Sequence, residues 1–347
     1  MAHKVNSTDV ANLAGVSQAT VSYVLNKRDG QSIREETRLK VLHAAKKLGY
    51  RPNHAARALV TGRTGMIALW VPFTHHSVFN HVIEQITRLA HGSRIHVIVA
   101  QSHTETTETL SETFMLSTSH VDGILAFDAT ALVDDLLKLN DLPPIVSFGP
   151  AYSTNVDHVG VDLYGGSLQA VRHLFEIGCR RVAYAGHERD LRNGDPRYDA
   201  YVQVVAENRA TLELIPLDHG YYADSYCGIK AYLSENTAPE GLFCWNDEAA
   251  IGANRACADL NLNVCRDVAI IGSDGIREVG YSVPALSTVA QPFEEMCSTA
   301  WTFLLNRLQD PTLARQGAVL PMRLERRAST IGLHEAPIER LLITKGN

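Results

Sequence analysis

The chain has 347 residues, 45% hydrophobic and 20% charged, a length and composition suited to two or three globular domains. Its longest apolar runs, such as Met66 to Val71, are too short to cross a bilayer, and the N-terminus lacks the apolar stretch of a secretion signal. The expected location is therefore the cytoplasm, with no membrane partner. The net charge of −6 hides an asymmetry: residues 1–65 carry 11 Lys and Arg against 4 Asp and Glu, leaving 21 against 34 in the rest. A basic head on an acidic body fits a nucleic-acid module joined to a domain with a different ligand. Six scattered cysteines without a CxxC pair suggest neither a disulfide framework nor a zinc site.

In chain order, Ser7 or Thr8 is placed to cap a short helix with Val10, Ala11 and Leu13 on one face. Gly15 allows a left-handed turn. Ser17 then caps a second helix with Val21, Val24 and Leu25 at core-facing spacing. Ala11 and Gly15 are small where the two helices cross. This is a helix-turn-helix, whose second helix enters the major groove by its N-terminal end. Gln18 and Ala19 are placed to reach bases, and Gln pairs with adenine in bidentate fashion. Thr20, Ser22 and Asn26 suit phosphate contacts. Ser32-Ile33-Arg34-Glu35 reads as a capping box opening a third helix, with Val41, Leu42, Ala45 and Leu48 as core and Gly49 as its stop. Asn53 is placed to cap a short segment ending near Gly62, too short to hold a helix alone in water. A partner must order it, and DNA is the obvious one.

From Met66 onward, apolar strands alternate with helices. Strands are expected at 66–71, 96–100, 123–127, 145–148, 182–185, 242–245 and 268–271, and helices at 79–90, 167–177, 198–208 and 248–260 among others. The pattern predicts parallel sheets buried on both faces, with ligands at the carboxyl ends of strands. Gly160 to Gly166 lacks the spacing of a dinucleotide loop and reads as a strand passing into a helix; Asp134 and Asp135 read as a solvated helix face. No phosphate loop, GxSxG or HExxH is present, and the expectation is a protein that is not an enzyme and needs no cofactor or metal.

The chain resembles the LacI/GalR family of bacterial repressors. The resemblance rests on D-V-A-x-x-A-G-V-S-x-x-T-V-S-x-V-L-N at Asp9 to Asn26, L-G-Y-x-P-N at Leu48 to Asn53 and A-x-x-L at Ala56 to Leu59. It continues through Gly165 to Leu174, Ile177 to Ala183, Phe243 to Ala253, Asp267 to Asp274 and Pro284 to Val289. It implies an all-α helix-turn-helix head, then a hinge helix that pairs across a dimer and inserts a Leu into the minor groove; Leu59 holds that position. It further implies a core like periplasmic sugar-binding proteins, with two parallel α/β subdomains, three crossovers and an effector in the cleft. The implied boundaries are 1–50 for the head, 51–65 for the hinge, 66–161 plus 291–322 and 162–290 plus 323–336 for the two subdomains, and 337–347 for a tail.

The expected DNA-facing set is thus Thr8, Ser17, Gln18, Ala19, Thr20, Ser22, Tyr23 and Asn26 in the head, with Asn53, Ala56 and Leu59 in the hinge. Tyr23 departs from the family's usual Arg and cannot make its bidentate contact to guanine, so it either reads a base differently or packs on the backbone. Arg197, Asn246 and Asp274 match effector-binding positions, a set that suits vicinal hydroxyls and hence a sugar. For Arg197 and Asp274 the other reading is an ion pair across the cleft; one of Asn246 and Asp247 caps the following helix, with Asp247 preferred. Phe73, Phe79, Tyr222, Trp245 and Phe293 are the aromatic candidates, each as plausible in the core as in the cleft. His75 and His76 read as surface or cleft-rim residues, and Ala200 stands where the family has Gly. The expected function is an effector-controlled homodimeric repressor of carbohydrate genes on a pseudo-palindromic operator. Two alternatives are a sugar- or solute-binding protein serving transport and a regulator with a degenerate cleft that binds another protein.

Overall fold

The computed structural model describes residues 5–26, 33–50, 62–72, 76–93, 95–102, 120–138, 142–187, 194–218 and 221–331. Hinge residues Asn53, Ala56 and Leu59, the 337–347 tail, Ser32, His75 and Phe73 lie outside them. The chain divides into two compact units, residues 1–64 and 65–347.

The first unit holds three helices, α1 (Ser7–Ala14), α2 (Gln18–Asn26) and α3 (Glu35–Lys47). Asn6, rather than Ser7 or Thr8, caps α1: its side chain accepts from the Thr8 and Asp9 amides while Asp9 accepts from the Asn6 amide. Gly15 ends α1 at φ 68° in the left-handed region that glycine tolerates best. Ser17 caps α2 as expected, accepting from the Thr20 amide at 3.1 Å. The capping box at Ser32 is not the start of α3; Arg34 stands at the N-cap and its side chain makes no capping bond. Val10, Ala11, Val21, Val24, Val41, Ala44 and Ala45 form the small core. Leu13 and Leu42, expected in it, are exposed. The cause is helical phase: Val41, Ala44, Ala45 and Leu48 share one stripe and Leu42 lies about 100° away.

The second unit contains two six-stranded sheets. The first has β1 (Met66–Pro72), β2 (His96–Ser102), β3 (Gly123–Phe127), β4 (Ile145–Gly149), β5 (Asp157–Asp162) and β11 (Gly317–Pro321), in the order β11-β5-β4-β3-β1-β2 and all parallel. The second has β6 (Val182–His187), β7 (Glu213–Leu217), β8 (Gly241–Cys244), β9 (Ala269–Asp274), β10 (Ser287–Ala290) and β12 (Arg323–Glu325), in the order β12-β10-β9-β8-β6-β7. Only β12 runs antiparallel there. The chain passes between the sheets three times: after β5, after β10 and after β11.

Covering helices include α4 (Ser77–His91), α5 (Thr130–Leu136), α6 (Leu163–Glu176), α7 (Pro196–Glu207), α8 (Tyr222–Glu235), α9 (Asp247–Asp259), a short α10 (Glu278–Tyr281), α11 (Phe293–Gln309) and α12 (Ala328–Ile331). Gly160–Gly166 is the end of β5 running into α6, as the spacing indicated. Central strands such as β1, β3 and β4 are almost wholly buried apolar runs, which is what a sheet covered on both faces requires. Strands β7, β11 and β12 escaped the sequence reading because they are sheet edges with mixed polarity. Asp134 is not simply solvated: it accepts from Ser153 and from Asn155 at 3.0 Å. All six cysteines are free. Among the described residues no helix is long and apolar enough to cross a membrane.

Candidate functional site

Two surfaces carry recognition chemistry. On the head, Thr8, Ser17, Gln18, Ala19 and Ser22 are exposed, Thr20 and Tyr23 half-buried. The valines of α2 face inward and so turn these residues outward. Gln18 donates to Ser7 Oγ at 2.7 Å, bridging α2 back to α1, and the Ser17 and Thr20 hydroxyls are 2.9 Å apart. Such local bonds hold the polar groups at the start of α2, the end a helix-turn-helix presents to base edges. Asn26 is the last residue of α2.

The second surface is a cleft of about 340 Å³ at the carboxyl ends of strands from both sheets. The first sheet contributes Asp128 after β3 and Pro150 with Ala151 after β4; α4 adds Val78 and Phe79, with His76 at its N-cap. The second contributes Trp245 and Asn246 after β8, Asp274 at the end of β9, Gln291 after β10, and Asp195, Pro196 and Arg197 at the start of α7. Asp195 caps α7 and Pro196 takes its first turn, where a missing N–H costs nothing.

Arg197 is fixed by its neighbours. Its Nε and Nη2 donate to the two oxygens of Asp195 at 3.0 and 2.7 Å, Nη1 donates to the Trp245 carbonyl at 2.8 Å, and the guanidinium lies 4.9 Å from the Trp245 ring centroid. The alternative Arg197–Asp274 ion pair is therefore not formed; Asp195, two residues away, is the partner. Burial disfavours both charges, but the paired hydrogen bonds outweigh it, so the Asp195 carboxyl sits below its ordinary value and Arg197 stays firmly protonated.

Asp274 instead accepts from Gln291 Nε2 at 2.8 Å, and burial followed by the nearby Asp247 charge raises its carboxyl well above the usual range. Asp128 is raised too, by burial, against the Ala151 amide that donates to it at 2.8 Å and the charges of Arg197 and His76. Asn246, not Asp247, caps α9, accepting from the Ala249 amide at 2.7 Å. Asp247 is pulled into the core by three donors: Thr288 Oγ1 at 2.6 Å and the Gly275 and Ile276 amides at 2.7 and 2.8 Å. The loop after β9 needs those acceptors, and a capping position would not supply them.

Of the aromatic candidates, Phe79 and Trp245 line the cleft. Phe293 does not: it is 2% exposed, in the main core, stacked on His81 at 4.9 Å. It opens α11, whose inner face covers the first sheet, and this draws the ring inward. Tyr222 lies outside the cleft lining, its hydroxyl 3.2 Å from Ser77 Oγ. His76 lines the cleft, with Nδ1 3.0 Å from the buried Glu248 and its ring stacked 4.8 Å from Tyr221. Among the described residues no group of three or more His, Cys, Asp or Glu is placed to hold a metal.

The reading of the sequence missed Asp128, Asp195 and Gln291. Asp128 directly follows a strand that was recognised, so the rule of inspecting residues after strands could have found it. Asp195-Pro196 is a recognisable helix start. Gln291 follows β10, a short strand with buried polar residues and no apolar run to mark it.

A helix-turn-helix head carried with a two-sheet core that holds a polar cleft defines a class: DNA-binding regulators with a periplasmic-binding-protein-like core. Residues 8–53 match the family model of bacterial regulatory proteins, lacI family, and residues 171–330 match that of the periplasmic binding protein-like domain. The HTH-type transcriptional repressor PurR of Pectobacterium carotovorum subsp. carotovorum is 30% identical over 334 residues, 93% of this chain and 96% of the relative. The lac repressor dimer bound to operator and the anti-inducer ONPF has the same fold, with a TM-score of 0.78 at 22% identity, covering 94% of this chain and 99% of that one. A LacI-family regulator from Enterococcus faecium with bound ribose gives 0.67 at 27% identity over 77% of this chain and 99% of its own. The chain belongs to the LacI family and is a DNA-binding transcriptional regulator rather than an enzyme. The match of the head to the regulatory family sets aside the reading as a transport binding protein.

Proposed function

We propose that the protein is a homodimeric repressor that binds a pseudo-palindromic operator through residues 1–50 and is controlled by a sugar in the core cleft. Residues 51–65 act as the hinge, with Leu59 as its wedge; 66–161 with 291–322 and 162–290 with 323–336 are the two effector-binding halves, and 337–347 a tail. The observation that carries the reading is the cleft itself. It has about 340 Å³, the size of a small metabolite site, and polar side chains from both sheets converge in it around Arg197. The dimer on operator and the ribose-bound regulator support the assembly and the ligand class. Sugar binding shifts the angle between the halves, so effector and operator affinities are linked reciprocally. The test is titration of the full chain on its own promoter region and on random duplex at matched salt, with and without candidate sugars. Specific affinity should exceed non-specific affinity by about 10³-fold or more, and an active sugar should change only the specific component. Equal affinity for both duplexes would refute operator recognition.

A further inference from the structure

A second cavity, of about 630 Å³, opens between α6 and β12 and shares no lining residue with the effector cleft. Its charged lining sets four arginines against two glutamates: Arg172 and Glu176 on α6, Arg323 and Glu325 on β12, and Arg326 and Arg327 just after it. The body as a whole is acidic, yet residues 323–327 read R-L-E-R-R, so this positive charge is local. Gln169 Nε2 donates to the Met322 carbonyl at 3.5 Å and ties α6 to the chain entering β12. Two of the four guanidiniums are engaged. Arg327 donates to Glu325 and, at 2.8 Å, to the Leu286 carbonyl. Arg172 pairs with Glu207 at 3.1 Å, an exposed pair that a ligand can replace at little cost. Arg323 and Arg326 are exposed and form no hydrogen bond or ion pair with a described residue. The buried His173 on α6 has its pKa lowered first by burial and then by Arg326, with Glu176 opposing, so the guanidinium outweighs the carboxylate there.

We propose that this groove is a second ligand site, for a small metabolite bearing a phosphate group. The assignment is independent of the sugar reading of the cleft. Arg323 and Arg326 bring two uncommitted positive charges, and a phosphomonoester carries about −1.5 to −2 at neutral pH. One carboxylate would cancel only one of them. All four cations are arginines, whose planar forks match phosphate oxygens two at a time. They project from a helix, a strand and a loop, so donors reach an oxyanion from three sides. The volume is larger than one phosphate group fills and leaves room for the organic part of the ligand. The groove is open and its free arginines are solvated, so binding there is weaker than in a closed pocket and falls with added salt.

Titration calorimetry on the full chain tests the site, with glycerol 3-phosphate as the probe and succinate as a carboxylate control of equal charge, at constant ionic strength. Glycerol 3-phosphate should bind saturably at one site per chain, and Arg323→Gln combined with Arg326→Gln should weaken it by about tenfold or more. Both side chains are exposed and unpaired, so the double variant should melt within about 2 °C of the wild type, which separates lost binding from lost folding. Each single substitution should weaken binding as well, and either one serves if the double variant melts early. Absence of saturable binding overturns the proposal. Equal affinity in the variants overturns it too, because the anion is then held elsewhere. Succinate binding as tightly as glycerol 3-phosphate would leave a general anion patch and overturn the phosphate assignment.

Discussion

The head and the cleft prepare for their ligands in opposite ways. In the head the residues proposed to face DNA are mostly exposed, and several already bond one another, as Gln18 does with Ser7 and Ser17 with Thr20. Water and these local bonds can be exchanged for phosphates and base edges at small cost, so affinity there is set by charge, salt and fit. In the cleft, Asp128 and Asp274 hold positive φ, and Gln291 Oε1 and Trp245 Nε1 are buried without a hydrogen-bond partner. The comparison teaches that a surface for a long charged polymer can stay solvated, whereas a site for a small molecule must be desolvated beforehand to bind it tightly.

The largest test of that contrast is Arg197→Met. The Arg197–Asp195 pair is largely buried, with side chains 12% and 10% exposed, and removing the guanidinium strands a carboxylate. The core should lose about 3–5 kcal/mol of stability, and the ligand-induced rise in its melting temperature should disappear. A core that melts normally would mean the pair is better solvated than its geometry indicates, and the contrast with the head would weaken.

A smaller change is expected from Val41→Ala in the head. Val41 is fully buried in a core of seven residues, and losing two methyl groups there should cost about 2 kcal/mol. Head and core are separate compact units, so calorimetry should show the head transition falling while the core transition stays. Core and head falling together would break the picture of two independently built recognition surfaces.

The same contrast explains what could be read from sequence. The helix-turn-helix is local: Gly15, Ser17 and the Val21–Val24 spacing lie within a dozen residues, and each has one structural job. The central strands were legible for a similar reason, being continuous apolar runs. The cleft was only partly legible, because its residues come from segments as far apart as Asp128 and Gln291. Arg197 and Asp274 were found as polar residues at family positions, but their partners depend on which strand ends adjoin. The roles of Asn246 and Asp247 were exchanged because either can cap a helix, and only the loop after β9 reveals that Asp247 is required elsewhere. Phe293 shows the limit for aromatics, whose preference for burial does not say which side of a helix faces the cleft.

The smallest expected effect concerns pH and separates the two regions once more. Burial pushes the Asp247 carboxyl from the ordinary 3.8 up to about 6, against the bonds from Thr288, Ile276 and Gly275. Asp274 beside it is raised as well. Below about pH 4 these carboxyls are protonated in both folded and unfolded chains and contribute nothing to pH dependence. Between about 4 and 6 the unfolded chain releases protons that the folded core retains, so core stability falls as pH rises, with a slope of about 1 kcal/mol per unit. Above about 6 the Asp247 contribution is constant. Asp195 and Asp157 act in the other direction: their carboxyls are held low against burial by the hydrogen bonds of Arg197 and of Arg307 and Gln316 respectively, so their stabilisation is lost only as pH falls below about 4. No described carboxylate in the head is buried, and the one whose carboxyl is shifted, the exposed Glu36, is held low by the Lys40 hydrogen bond, so the head transition should not decline as pH rises from 4 to 6. Denaturant unfolding at intervals across that range, on the wild type and Asp247→Asn, measures the difference. The core midpoint should decline with rising pH in the wild type and flatten in the variant. A wild-type core that does not decline with rising pH would mean that Asp247 ionises freely, and that its surroundings are wetter than its three short hydrogen bonds imply.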